Sequence, residues 1–157
     1  MSDTFIQNYI HIVIAVRGRD SLISPIWKDR LYAYITGIIQ NNGHKLMIIN
    51  GVADHVHIFI SLKPTQSISD LVMNVKRDSS SWINSHHFVA GKFQWQNGYG
   101  AFSYSHSQVN GVVKYILNQE KHHKKKTFRE EYINILKAFK IEYNPKYLFE
   151  WIENDSV

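Results

Sequence analysis

The pattern of apolar positions changes period several times along the chain. Residues 5 to 16 (FIQNYIHIVIAV) are rich in β-branched and aromatic side chains and predict a first strand. Ser24 followed by Pro25 predicts a helix start, with serine as N-cap and proline in the first turn. Trp27, Leu31, Tyr34, Ile35 and Ile38 then recur at helical spacing, and Gly43 ends the run. Leu46 to Val52 predicts a second strand and His55 to Leu62 a third, antiparallel to it across a short connection in which Asn50-Gly51 and Ala53-Asp54 both offer turn chemistry. Pro64 breaks this run. Ser67 with Asp70 predicts the cap of a second helix carrying Ile68, Leu71, Val72 and Val75. Residues 85 to 104 are irregular but aromatic and predict one or two short strands. Ser105 and Gln108 form a capping box for a third helix through about Lys124, and Thr127 and Glu130 form one for a fourth through about Lys140.

The predicted order is β-α-β-β-α-β followed by two helices. It implies an α+β, ferredoxin-like sandwich, an antiparallel sheet with helices on one face, followed by C-terminal helices. A length of 157 residues implies one domain, residues 1–143, with a tail over 144–157 that is either docked or loose. No apolar run approaches the roughly 20 residues needed to span a bilayer, and the N-terminus does not read as a secretory signal. The chain has no cysteine, which excludes disulfides and thiolate metal sites and fits a reducing, cytoplasmic setting. A formal charge of +5 and a pI of about 9.3 suit a polyanionic partner, though a basic balance also arises from an ordinary solvated surface.

The chemistry concentrates in two places. His55 and His57 flank Val56 at the start of the third strand, so strand alternation turns both imidazoles to one face. Two such rings are either half of a divalent-metal site or a pair of hydrogen-bonded, half-buried histidines. Tyr115 and Gln119 are four residues apart and stand on one face of the third helix. Gln119 offers a carbonyl oxygen to a hard ion, and Tyr115 offers a phenol, either as a nucleophile or as a packing aromatic. Asp54 precedes the histidines as a turn or cap residue, or as a contributor beside the site. Trp27, Trp82 and Trp95 read as core.

Together these residues resemble the small single-tyrosine HUH transposases of insertion sequences, the IS200-like family, including relatives associated with repetitive extragenic palindromes. The resemblance rests on His55-Val56-His57 and on the helix Tyr115-Ile116-Leu117-Asn118-Gln119, supported by GVAD over 51–54, GYGAFS over 98–103 and NQEKHH over 118–123. It implies that His55, His57 and Gln119 hold one Mg2+ or Mn2+. It also implies that Tyr115 attacks the scissile phosphate of single-stranded DNA, leaving a 5′-phosphotyrosine link and a free 3′-hydroxyl whose later attack rejoins strands. A neutral ligand set of this kind predicts weak metal binding without DNA. The resemblance further implies DNA with hairpin ends as substrate and a homodimer joined edge to edge, each tyrosine helix able to reach the partner's histidines. Arg17, Arg19, Lys63, Lys76, Arg77 and the run HHKKK over 122–126, with Lys124 and Lys125, are then the candidates for phosphate contact, a solvated face being the other reading of each. Two other readings stay open: a non-catalytic nucleic-acid-binding module descended from a transposase, and a metal-dependent phosphoesterase that uses water while Tyr115 is structural.

Overall fold

Alternation along one strand decides how the molecule is layered. In the computed structural model, which describes residues 2–152, β1 (Tyr9–Ala15), β2 (Lys45–Val52), β3 (His55–Ser61) and β4 (Gly100–Tyr104) form one sheet in the order β2-β3-β1-β4. All three strand pairs are antiparallel. Helices α1 (Lys28–Asn41) and α2 (Ile68–Ser85) join the strands in the β-α-β-β-α-β order that the sequence predicts. Ile10, Ile12 and Ile14 of β1 and Val56, Ile58 and Ile60 of β3 point to one face, where they pack with Leu31, Ile35, Ile39, Leu71 and Val75 of the two helices. Trp27 and Trp95 belong to this core, whereas Trp82 is only half-buried and stacks on Tyr34 at 4.8 Å between ring centroids.

The two helices of the ferredoxin-like unit share one face, as expected, and the C-terminal helices take the other. His11, Val13 and Ala15 of β1 and His55, His57 and Phe59 of β3 alternate onto it. It is covered by α3 (Val109–Leu117) and α5 (Phe128–Ala138). Val112 and Ile116 pack on Phe59, and Phe128, Tyr132 and Leu136 pack beside Val13, Ala15 and Phe102. Both sheet faces are therefore buried, but the second is built around three histidines.

Local chemistry accounts for most boundaries. Ser67 and Thr127 accept from the backbone N–H of Asp70 and Glu130 as N-caps, and the Ser105–Gln108 capping box is present. Ser24 accepts from the N–H of Ile26 at 3.1 Å and sets a turn before regular helix begins at Lys28. The first strand is shorter than predicted: Phe5 is 90% exposed because β3 ends opposite Tyr9, leaving residues before Asn8 nothing to pair with. The predicted third helix is not continuous. It stops at Leu117, Asn118 has a non-helical backbone, and a single turn, α4 (Gln119–His122), follows. The aromatic stretch yields one strand, β4, plus an isolated bridge between Val16 and Trp95. Residues 144–152 dock: Phe149 is buried against α5, and Gln96 exchanges two 2.7 Å hydrogen bonds with the backbone of Glu150. The rest of the predicted tail, 153–157, lies outside the described residues.

Gly51 faces Val56 across the β2–β3 ladder, where an added Cβ would collide with the His55 carbonyl oxygen and lie 2.9 Å from Val56 Cα. Gly51→Ala is expected to cost about 1–3 kcal/mol through forced backbone displacement. Thermal unfolding followed by circular dichroism should show a fall of about 2–4 °C per kcal/mol. An unchanged midpoint would show that the ladder yields freely at this point.

Candidate metal centre and nucleophile

The register fixes the histidines first. His55 pairs with Ala15 and Val52, and His57 with Val13 and Asn50, so both sit inside the sheet rather than at its edge. Neither side chain is exposed. Each ring has its Nδ1 engaged: His55 shares a 2.7 Å hydrogen bond with Asp54 Oδ1, and His57 shares one of 2.7 Å with His11 Nε2. Phe128 lies flat on the His55 ring at 3.7 Å. With Nδ1 held in this way, both Nε2 atoms aim at one point.

That point is occupied by a carboxylate the sequence reading overlooked. Glu131 of α5 is 2% exposed. Its Oε1 lies 3.1 Å from Nε2 of His55, of His57 and of His123. Its Oε2 accepts from the Tyr115 hydroxyl and, at 3.0 Å, from Gln119 Nε2, with His122 Nε2 at 3.4 Å. Gln119 is fully buried, and its Oε1 lies 3.2 Å from His55 Nε2 and 3.1 Å from His123 Nε2. His55, His57, Tyr115 and Gln119 are thus brought together within one chain, and Glu131, His123 and His11 join them. Asp54 stands behind His55 as a turn residue that orients the ring. Asn50 fixes the helix that carries the tyrosine, because its Nδ2 donates to the Ile116 and Leu117 carbonyls at 3.0 and 3.1 Å.

Electrostatics follow from burial and these partners. Burial alone would lower the pKa of His55, but its bonds with Asp54 and Glu131 outweigh that and raise it. Burial lowers His57 to about 4, and burial together with neighbouring His57 holds His11 well below the usual range. Burial and the adjacent Glu131 push the Tyr115 phenol up. Burial opposes ionisation of Glu131, yet its bonds with His123, His55 and His57 hold it far below the usual carboxylate range. A neutral His57 has one ring N–H for two neighbours, His11 Nε2 and Glu131 Oε1. If it donates to His11, its Nε2 lone pair faces a carboxylate oxygen, an arrangement that a cation between them would satisfy. The donor atoms of His55, His57, His123 and Glu131 lie within 4.8 Å of one another, so a divalent ion fits this set. Tyr115, His122 and Glu131 also line a cleft of about 310 Å³ through which the site opens.

The basic candidates divide among three clefts and one exposed turn. Lys124 and Lys125 line a groove of about 850 Å³ that also contains Asp54, His123, Arg129 and Trp151, directly beside the centre. Arg17, Lys76 and Arg77 line a second groove of about 570 Å³ with Lys92. There Lys76 is lowered to about 8 by burial and donates to the Gln96 and Gly98 carbonyls at 2.8 and 2.5 Å, bracing the segment before β4. Lys63 lies in a cleft of about 420 Å³ with Thr4 and Lys45, and Arg19 lies exposed in the turn Arg19–Ser21. No helix among the described residues is long and apolar enough to cross a membrane.

A family model described as transposase, IS200-like, matches residues 4–119, ending at Gln119 and short of His123 and Glu131. The ISDra2 transposase TnpA of Deinococcus radiodurans is 26% identical over 118 residues, covering 69% of this chain and 81% of that protein. A crystal structure of a candidate transposase from Deinococcus radiodurans superposes with a TM-score of 0.60 at 22% identity, over 76% of this chain and 95% of the other. The structure of a REP-associated tyrosine transposase bound to a REP hairpin superposes with a TM-score of 0.58 at 14% identity, over 99% of this chain and 94% of the other. These two likenesses establish the shared fold.

Proposed function

The chain belongs to the IS200-like transposase family, and from that premise we propose that it cleaves and rejoins single-stranded DNA at the ends of an insertion element through a phosphotyrosine intermediate on Tyr115. The observation that carries the reading is the convergence of the Tyr115 hydroxyl, the His55 and His57 rings and Gln119 in one buried cluster with an open cleft beside it. His55, His57 and Gln119 would hold Mg2+ or Mn2+, which supplies Lewis acidity and a fixed position for the scissile phosphate. Tyr115 loses its phenolic proton and its oxygen attacks phosphorus. The bond from phosphorus to the 3′-oxygen breaks, and that oxygen leaves as a hydroxyl after taking up a proton. The 5′ side remains on Tyr115 as a phosphodiester, so attack by another 3′-hydroxyl can restore a strand without ATP. Asp54 and His11 keep the two imidazoles oriented, and Phe128 holds the His55 ring flat.

The protein that binds a REP hairpin supports hairpin-ended DNA as the substrate here. We include a homodimer in the proposal, joined through the outer strands β2 and β4, with composite sites, acting on DNA in the cytoplasm. Exchange of α3 between copies would require release of the Asn50 bonds to its C-terminal carbonyls. The test is to mix the protein with single-stranded DNA carrying hairpin ends and Mg2+ or Mn2+. A protein–DNA adduct stable to denaturation, with a free 3′-hydroxyl on the released fragment, is expected. Specific binding with no cleavage would favour the non-catalytic module instead.

The groove beside the centre gives a further expectation. Replacing Lys124 and Lys125 together by alanine removes two cations next to His123. The slope of log affinity against log salt for single-stranded DNA should fall by about 1.4, from about 0.7 per phosphate contact on a single strand. A slope unchanged within error would mean that these lysines only solvate the surface.

A further inference from the structure

Glu131 has an unusual set of partners for a buried carboxylate. Its hydrogen-bond and ion-pair neighbours are His55, His57, His122, His123, Tyr115 and Gln119, with no lysine or arginine among them. Burying an ionised carboxylate is unfavourable unless cations or donors compensate. Imidazoles compensate as donors only by carrying protons on the very nitrogens that a metal site needs free. Oε1 sits where three Nε2 atoms converge, and Oε2 faces the tyrosine. The carboxylate therefore belongs to both halves of the site at once.

On the reading that this is a metal-dependent tyrosine transposase, we propose that Glu131 is the anionic ligand of its divalent ion through Oε1, and that it positions the Tyr115 hydroxyl through Oε2. Gln119 keeps its place beside the ion and also orients the carboxylate: its Nε2 fixes Oε2 at 3.0 Å while its Oε1 lies near the His55 and His123 rings. Two imidazoles and a carboxylate are a fitting donor set for manganese, and His123 offers a further nitrogen. The charge consequence is direct. A neutral set of two histidines and an amide would leave both charges of the ion uncompensated and hold it weakly until DNA arrives. A set that includes Glu131 offsets one charge and holds the ion before DNA binds. Glu131 stands in the first turn of α5, outside the segment matched by the family model, so the assignment is specific to how this chain places its last long helix.

Titration calorimetry and the electron paramagnetic resonance of Mn2+ give a readout independent of activity. DNA-free protein is expected to bind one Mn2+, and Glu131→Gln to weaken that binding at least about tenfold. Gln119→Ala should also weaken it, but by less, because a neutral amide offsets no charge on the ion. Glu131→Asp keeps the charge and guards against a folding defect in the amide variant. It should retain Mn2+ binding, reduced, and hold hairpin affinity constant while slowing adduct formation at saturating Mn2+. Glu131→Gln binding Mn2+ as the unsubstituted protein does would overturn the proposal, as would loss of Mn2+ binding in Gln119→Ala with none in Glu131→Gln. The two readings fail separately. A protein that forms no adduct but loses Mn2+ on Glu131→Gln keeps the ligand assignment and sinks the transposase chemistry. An adduct-forming protein whose Mn2+ binding ignores Glu131 does the reverse.

Discussion

Tyr115→Phe is expected to abolish the covalent protein–DNA adduct while leaving hairpin binding within about twofold. The substitution removes one oxygen, the only atom of the side chain able to bond phosphorus. Its hydroxyl donates to Glu131 Oε2, which keeps Gln119 Nε2 as a partner when the hydroxyl is gone. The lost bond to a charged group costs about 1.5–3 kcal/mol of stability at most, a cost the fold should tolerate. The effect on chemistry is much larger. Without the proposed nucleophile, cleavage should fall by about 10³-fold or more, equivalent to about 4 kcal/mol of barrier. The measurement is a denaturing gel with end-labelled single strands. Cleavage by Tyr115→Phe at a rate near that of the unsubstituted protein would eliminate the nucleophilic role and favour attack by water, with Tyr115 as a structural member of the cluster.

What the sequence made legible follows the range of the interactions. The helix caps at Ser67, Ser105 and Thr127 are local, each spanning three residues, and all three carry the expected bonds. The alternation that puts His55 and His57 on one face is also local, as is the antiparallel pairing of β2 with β3 across their short connection. The second helical layer was harder to read because its sheet face is composed of His11, His55 and His57 among apolar neighbours, which masks its hydrophobic character. The break at Asn118 leaves no proline or glycine signature; the bonds from Asn50 on a distant strand to the Ile116 and Leu117 carbonyls meet the helix just before it. Glu131 did leave a signal. It lies three residues after Phe128 and four before Ile135, on the apolar stripe of α5, where a carboxylate is out of place unless it has partners. His11 left a similar one, sharing the face of Val13 and Ala15 in β1. Neither signal says which residues are met there, since those lie 46 positions away for the pair His11 and His57 and 76 for His55 and Glu131.

His57→Ala is the second change with a large expected effect, and it separates chemistry from architecture. The ring is fully buried, shares its Nδ1 with His11 and turns its Nε2 toward Glu131. Deleting it leaves two buried groups each short of one partner, at about 1–3 kcal/mol apiece before relaxation. Glu131 retains His55, His123, Tyr115 and Gln119, so most of its compensation survives. The apolar core on the α1–α2 side does not include His57 at all. The variant is therefore expected to fold, with a melting point lowered by roughly 4–24 °C at about 2–4 °C per kcal/mol. It is expected to bind hairpin DNA measurably, because the basic grooves lined by Lys124 and by Arg77 are intact. Adduct formation should vanish, since one of the two imidazoles proposed to hold the metal ion is gone. Folded protein that still forms the adduct at an ordinary rate would remove His57 from the chemistry. Protein that fails to fold would instead identify the His11–His57–Glu131 chain of hydrogen bonds as the element on which the whole second layer depends.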